Sequence, residues 1–259
     1  MKAALRPSLP LALLAAACSP AGGAQAPPAY AADAAPAGAP EADMQARPEP
    51  LAAQRNPEAA YQLGMIYHLG LNGIVRDHAK AFELFKQAAE AGDPLGDYQI
   101  GAYYDGAGDG AVEPDPALAL RHKLVAAEAG YALAQYDIAQ YYLRHGDRDK
   151  GVRWLEAAAR QGDALALLAL GSYHSGRPFA DARDGAKYYA YSLLSVERAD
   201  DEAHTFAAEL KAMFATGLSA QEIAEGEKII AGWRAAPSPL TLRANAGPGA
   251  AEQLVARKN

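Results

Sequence analysis

The stretch from Asn56 to Gly92 reads NPEAAYQLGMIYHLGLNGIVRDHAKAFELFKQAAEAG, and its apolar residues recur at the period of an α-helix. In its first half, Ala59, Leu63 and Tyr67 return every four residues and therefore share one helical face. Its second half carries a second apolar stripe, made of Ala81, Leu84, Phe85, Ala88 and Ala89. A helix pair this short cannot bury its apolar face alone, so the stretch must stack on copies of itself.

Three further copies of this unit follow along the chain. The equivalent small residues in the first helices are Gly64, Gly101, Ala139 and Gly171, at spacings of 37, 38 and 32 residues. The spacing varies because the loop between the two helices varies in length. The predicted boundaries are four repeats at 56–92, 93–130, 131–162 and 163–198, closed by a capping helix pair at 199–235.

Local signals at the helix ends agree with these boundaries. A capping side chain precedes a proline at three predicted helix starts, which are Asn56-Pro57, Asp93-Pro94 and Asp115-Pro116. Glycines follow the second helices at positions 92, 130 and 162, where a left-handed residue commonly ends a helix. Ser219 and Glu222 form a capping-box pattern at the last predicted helix.

The shared pattern A-x-x-x-L-G-x-x-Y-x-x-G, a loop, D-x-x-x-A, then A-A-x-x-G, resembles the Sel-one-like repeat family, a relative of the tetratricopeptide repeats. The resemblance extends directly over residues 56–196. It implies an all-α fold, a right-handed α-solenoid of tandem helix-turn-helix repeats with a C-terminal capping helix pair.

The N-terminus is built like an export signal. Lys2 and Arg6 precede an apolar run that is too short to span a bilayer, and Cys18 follows it. The sequence Leu14-Ala-Ala-Ala-Cys18 resembles the bacterial lipobox, in which the cysteine receives the lipid. We expect a signal peptide at 1–17, lipidation of Cys18, and a location in the periplasm or at the outer membrane. Ordinary secretion, with cleavage after Ala17 or a later alanine, remains the alternative.

Two segments outside the repeats are rich in alanine, proline and glycine. They are residues 18–55, before the first repeat, and residues 236–259, after the capping pair. Such compositions bury too little apolar surface to offset the entropy of ordering. The sequence therefore predicts a disordered tether and a disordered tail.

The charge of the chain disfavours two classes of partner. The chain has 24 basic and 31 acidic residues, a net charge of -7, and removal of residues 1–17 would lower this to -9. Without a basic stripe, a nucleic-acid ligand is not expected. Anionic lipid headgroups are disfavoured for the same reason, so membrane contact is expected only through the lipid on Cys18.

The resemblance also indicates where a partner would bind. Related repeats hold peptides or helices on the inner surface formed by their first helices, and tetratricopeptide analogy assigns partner-facing positions there. These are Tyr61, Met65, His68, Tyr98, Asp105, Tyr136, Gln140, Arg144, Leu168, Ser172 and Ser175. Tyrosine suits recognition because its ring and hydroxyl both make contacts at low entropic cost. The alternative is that Tyr61, Tyr98 and Tyr136 pack between repeats.

The sequence contains no signature of catalysis or metal binding. There is no G-x-S-x-G or S-x-x-K motif, and the one cysteine lies outside the repeats. No two histidines have the spacing H-E-x-x-H of a zinc site. We therefore expect no enzyme activity, no metal and no cofactor.

Three functions are compatible with these observations. The first is an exported, lipid-anchored adaptor that binds a partner protein or peptide on the concave surface of the repeats. The second is a peptidoglycan or carbohydrate contact module, or an envelope hydrolase. The third is a self-associating structural component, which the capped terminal helix pair disfavours, so a monomer is expected.

Overall fold

A computed structural model describes residues 56–71, 73–199 and 207–247 of the chain. The predicted signal peptide, Cys18, the tether to residue 55, residues 200–206 of the capping region and the end of the tail lie outside these described residues. The described residues contain eleven α-helices and no strand. This confirms the predicted all-α class.

The helices fall into two compact units. Among the described residues, the first unit comprises 56–134 and 242–247, and the second comprises 135–241. The helices up to residue 144 are α1 Pro57–Leu69, α2 His78–Glu90, α3 Pro94–Ala102, α4 Pro116–Glu128 and α5 Ala132–Arg144. Those that follow are α6 Arg148–Arg160, α7 Ala164–His174, α8 Gly185–Arg198, α9 Ala207–Ala215, α10 Ala220–Gly232 and α11 Pro239–Asn245.

One backbone arrangement closes the helix pair in all four predicted repeats. An aspartate begins the second helix, and its backbone N–H donates to a carbonyl near the end of the first helix. The donor–acceptor pairs are Asp77–Tyr67 at 3.0 Å, Asp115–Tyr104 at 3.1 Å, Asp147–Tyr142 at 3.0 Å and Asp184–His174 at 2.9 Å. Each aspartate side chain also caps its helix by accepting backbone N–H groups. The fourth pair therefore follows the same rule as the first three.

Small residues let the paired helices approach closely. A Cβ added to Gly64 would lie 2.6 Å from the ring of Phe85, which is fully buried. In the third repeat Ala139 takes the glycine's place, and the facing Gly151 provides the space instead, since its Cβ would lie 3.2 Å from the Ala139 carbonyl. The close approach is thus retained although the glycine lies on the first helix in one repeat and on the second helix in the other.

The core of the second unit is a continuous apolar cluster. It contains Leu155, Leu167, Leu170 and Leu194, each no more than 1% exposed, with alanines between them. The two tryptophans of the chain, Trp154 and Trp233, pack against this cluster from its edge. Helices α9 and α10 both pack against α8, as expected of a capping pair.

The end of the folded region differs from the prediction. The sequence predicts a disordered tail from residue 236, whereas Pro239–Asn245 forms a helix. In the second unit, Ser238 N–H and the Thr241 hydroxyl both donate to Oε1 of Gln161, at 2.9 and 2.7 Å. Composition missed this helix because specific polar contacts, rather than apolar burial, hold its first half.

The described helices include none that is both long and apolar enough to cross a lipid bilayer.

Candidate partner-binding site

The predicted partner-facing residues differ in accessibility. Tyr61 is only 6% exposed, its ring packs on Phe85 at a centroid distance of 6.1 Å, and its hydroxyl bonds to Gln99. Burial raises the pKa of Tyr61 to about 12. Tyr61 is therefore a packing residue, which corrects its assignment to the open surface. The other ten keep some accessible surface, with Asp105 and Arg144 the most exposed.

Tyr98 is the centre of an accessible group in the first unit, which we call the Tyr98 patch. Its ring meets that of Tyr131 edge-on, with centroids 4.9 Å apart. The Lys123 ammonium lies 5.8 Å from the Tyr98 ring centroid and 2.5 Å from the carboxylate of Asp105. The patch thus joins two half-buried aromatic rings to an ion pair whose carboxylate is 45% exposed. Amphipathic aromatics and a partly exposed charge are common components of protein-binding surfaces.

Sequence reasoning placed Tyr98 and Asp105 on this surface but missed Lys123 and Tyr131. Lys123 occupies a position where the repeat pattern expects a bulky apolar residue. That departure was the available signal, because a lysine at an apolar position needs an acidic or aromatic partner. Tyr131 lies just before α5 and carries no such signal.

His68 belongs to a hydrogen-bonded group that we call the Tyr103 network. The hydroxyl of Tyr103, a fully buried residue, lies 3.0 Å from Nδ1 of His68 and 3.1 Å from Nδ1 of His78. Nε2 of His78 lies 3.2 Å from Oδ2 of Asp109. One proton order satisfies the whole chain. His78 donates from Nε2 to Asp109, accepts at Nδ1 from Tyr103, and Tyr103 accepts from Nδ1–H of His68.

The surroundings of this network keep it uncharged at its centre. Burial, and then the nearby His78, lower the pKa of His68 to about 4, so its imidazole is neutral at pH 7. Burial also raises the pKa of Tyr103, which keeps the phenol protonated. At the centre of the network, His68 and Tyr103 are thus a neutral pair of hydrogen-bonding groups whose chemical role is to orient side chains.

The Tyr103 network also positions the loop that carries Asp105. Tyr103 opens a π-helical turn, Tyr103–Ala107, which continues α3 and contains Gly106 at a φ of 100°. A Cβ on Gly108 would lie 2.5 Å from the Tyr103 ring, so the loop folds directly over that ring. Single π-helical turns inside α-helices frequently occur at functional sites. Here the turn brings Asp105 to Lys123.

In the second unit, two of the predicted residues serve local structure. Tyr136 packs against the apolar cluster, and burial raises its pKa. The Ser175 hydroxyl donates to the Ser172 carbonyl at 2.7 Å and accepts the Arg177 N–H at 3.2 Å, so it caps the end of α7. Gln140 and Leu168 are half-buried. These predicted residues of the second unit do not form a compact group comparable to the Tyr98 patch.

The described residues hold no group of three or more histidine, cysteine, aspartate or glutamate side chains that could bind a metal ion.

Comparison with known proteins agrees with the repeats seen in the structure. The Sel1 repeat family pattern matches residues 57–93, 94–131 and 132–163, about two fifths of the chain. This match supports the Sel1-like repeat family that the sequence pattern predicts. The fourth helix pair lies beyond the matched residues and shares the backbone arrangement of the Sel1 repeats.

The proteins similar to the chain include one relative and two solved structures. The ERAD-associated E3 ubiquitin-protein ligase component HRD3A of Arabidopsis thaliana is 38% identical over 53 residues, 20% of this chain and 8% of that protein. A Sel1 repeat protein from Oxalobacter formigenes superposes with a TM-score of 0.54 at 21% identity, over 75% of this chain and 86% of that one. A protective antigen of uropathogenic Escherichia coli with an SLR fold superposes with a TM-score of 0.43 at 23% identity, over 69% of this chain and 45% of that one. The Oxalobacter structure supports the α-solenoid fold.

Proposed function

We propose that the chain is an exported, lipid-anchored adaptor of the bacterial cell envelope that binds a partner protein or peptide through the Tyr98 patch. Sel1 repeat proteins are in general non-catalytic scaffolds for protein–protein interaction. The matched relative HRD3A is described as a component of a ligase, which is consistent with a role in assembly. The anchor is inferred from Cys18 and the apolar run before it.

The Tyr98 patch is the observation that carries the proposal. Tyrosine rings contribute large contact areas for little lost freedom, and Tyr98 and Tyr131 already hold each other in a fixed edge-on arrangement. The ion pair with Lys123, whose side chain is 14% exposed, holds the 45% exposed carboxylate of Asp105 at the same surface. A partner that covers the patch would bury both rings while keeping polar contacts at the edge.

The binding function is tested by cross-linking in the native cell, followed by affinity capture of the tagged full-length chain and mass spectrometry. Capture by native protein is compared with Tyr98→Ala and with Val125→Ala, a control on α4 whose side chain is 43% exposed. Circular dichroism confirms that each variant is folded. The proposal expects a defined partner that is lost with Tyr98→Ala and retained with Val125→Ala. A partner retained by both variants would place binding elsewhere.

The anchor is tested separately. Cells are labelled with an alkyne fatty acid, and incorporation into native chain is compared with Cys18→Ala. We expect label in the membrane fraction for native protein and none for the variant. Equal labelling, or soluble native protein without label, would support ordinary secretion instead.

A further inference from the structure

Asp93 is a buried carboxylate in the first unit, at the connection between the first two repeats. The residue is 3% exposed and its side chain 1%. It caps α3, where Oδ1 accepts the Leu95 N–H at 3.0 Å. The same Oδ1 accepts from Nη2 of Arg243, a residue 150 positions further along the chain. A buried carboxylate is costly unless it is paired, so Arg243 provides the compensating charge.

The pairing of Asp93 with Arg243 is incomplete. Oδ2 of Asp93 is buried and has no hydrogen-bond partner, and Nε of Arg243 is buried and has none either. A guanidinium can bind both oxygens of a carboxylate through two parallel N–H groups, which is its strongest arrangement. Arg243 uses only one of the two oxygens. The site is therefore able to bind a guanidinium more completely than its present occupant does.

The pocket adjoins two further buried side chains of the first repeat that carry polar atoms. The charges of Asp93 and Arg243 both act on the hydroxyl of Tyr61, the buried packing tyrosine of the first repeat. The next residue, Gln62, is 2% exposed, and neither polar atom of its side-chain amide has a hydrogen-bond partner. Unsatisfied buried polar groups are uncommon in folded proteins and call for an explanation. Arg243 thus lies among buried polar groups whose hydrogen-bonding capacity is not fully used.

We propose that Asp93 forms the base of a guanidinium-binding pocket, which Arg243 fills in the free protein and an arginine side chain of a partner peptide fills in the complex. This rests on the proposed adaptor function and names the chemistry of its partner, a peptide that carries arginine. The net charge of -7 favours the approach of such a cationic segment.

The internal arginine sets the affinity for the external one. A ligand tethered within the same chain acts at an effective concentration in the millimolar range, so it competes strongly with a free peptide. The external arginine gains by engaging both oxygens of Asp93. Removal of the Arg243 charge should therefore tighten peptide binding, and removal of the Asp93 charge should abolish it.

The proposal is tested with a labelled peptide that copies residues 239–247, PLTLRANAG, and fluorescence anisotropy on full-length protein. Matched peptides carry glutamine or lysine in place of the arginine. Arg243→Gln removes the internal guanidinium and leaves the Asp93 carboxylate in place. Asp93→Asn removes the carboxylate but keeps the capping oxygen, since asparagine caps a helix as well as aspartate does. Arg121→Gln, at an exposed arginine of α4, is the control for net charge.

We expect the arginine peptide to bind Arg243→Gln at least tenfold more tightly than native protein or Arg121→Gln. Affinity for Arg243→Gln should be at least tenfold lower for the glutamine peptide than for the arginine peptide. It should be severalfold lower for the lysine peptide, because an ammonium cannot form two parallel hydrogen bonds with a carboxylate. The double variant Asp93→Asn with Arg243→Gln should bind the arginine peptide at least tenfold more weakly than Arg243→Gln does. Equal binding of arginine and glutamine peptides, or no gain with Arg243→Gln, would show that the pair only clamps the fold and would overturn the proposal.

A second measurement avoids variants that unfold. Amide hydrogen exchange of residues 242–247 in native protein is followed while unlabelled peptide is added. Displacement predicts faster exchange with the arginine peptide and no change with the glutamine peptide, and an unchanged rate with both would overturn it. A cellular partner that depends on Tyr98 but not on Asp93 would refute the pocket and leave the adaptor function intact.

Discussion

The two units use the same backbone rule around interiors of different chemistry. In the second unit, leucines and alanines fill the space between α6, α7 and α8. In the first, the corresponding space includes the Tyr103 network and the pair of Asp93 with Arg243. Apolar packing tolerates changes of pH, whereas a buried polar group requires both its partner and its protonation state. The repeat therefore determines the helix pair and leaves the interior free to acquire a site.

The largest effect is expected in the apolar interior. Leu170→Ala should lower the free energy of unfolding by about 2–5 kcal/mol, because the residue is 1% exposed and a cavity would remain. Urea unfolding followed by tryptophan fluorescence reports this unit, since Trp154 and Trp233 both lie in it. Leu165→Ala, on the same helix but 37% exposed, is the control and should change little. Equal losses would mean that α7 is not packed as described.

Loss of a single hydroxyl group should destabilise the polar interior of the first unit. Tyr103→Phe removes the hydroxyl shared by His68 and His78, and should destabilise the first unit by about 1–3 kcal/mol. Amide hydrogen exchange of α3 measures the change. Tyr67→Phe, at a half-buried tyrosine without a hydrogen-bonded hydroxyl, is the control. Unchanged exchange in Tyr103→Phe would show that the network does not contribute to the stability of the first unit.

The two units should respond to acid in opposite directions, and His68 determines the response of the first. Its pKa is about 4 in the folded protein and about 6.5 when unfolded, so the unfolded state binds more protons between these values. Stability is full above pH 6.5 and should fall by about 1–2 kcal/mol as the pH drops toward 4. Hydrogen exchange at pH 7 and 5, corrected for intrinsic rates, tests this. His68→Gln should flatten the dependence, and a slope unchanged by that variant would contradict it.

Asp163 should give the stability of the second unit the opposite dependence on pH. Burial raises its pKa from 3.8 to about 6, so the folded state binds more protons between these values and stability rises as the pH falls from 6 to 4. Asp163→Asn keeps the helix cap and should stabilise this unit by about 1–2 kcal/mol at pH 7, with no gain at pH 4. Tryptophan-detected urea unfolding at both pH values measures it. Destabilisation at pH 7 would show that the Asp163 charge makes a stabilising interaction in the folded protein.

The smallest effect is expected at the surface. Arg148 forms two parallel hydrogen bonds with Asp181, at 2.9 and 2.8 Å, and the side chains of Arg148 and Asp181 are 36% and 65% exposed. Exposed ion pairs contribute little because water and salt screen them. Arg148→Ala should leave the urea midpoint of the second unit unchanged within error. A clear shift would indicate that this pair has a structural role that its exposure does not suggest.

Local sequence determined the helix pairs of this protein. The caps at Asn56, Asp93 and Asp115 and the glycines after the second helices are found where the sequence predicts them, the glycines with φ between 89° and 93°. The Ser219 capping box is also confirmed. These features depend on residues within four positions of one another, so the chain specifies them without its tertiary fold.

Only the tertiary structure decided the chemistry inside the repeats. His68, His78 and Tyr103 converge across 25 to 35 residues of sequence, and Asp93 meets Arg243 across 150. Their meeting depends on how separate helices pack, which no local pattern encodes. The same holds for Tyr61, whose place in the repeat marks a partner-facing surface while its neighbours bury it. Side-chain type and helical phase predict a face, but burial depends on what the rest of the chain places against it.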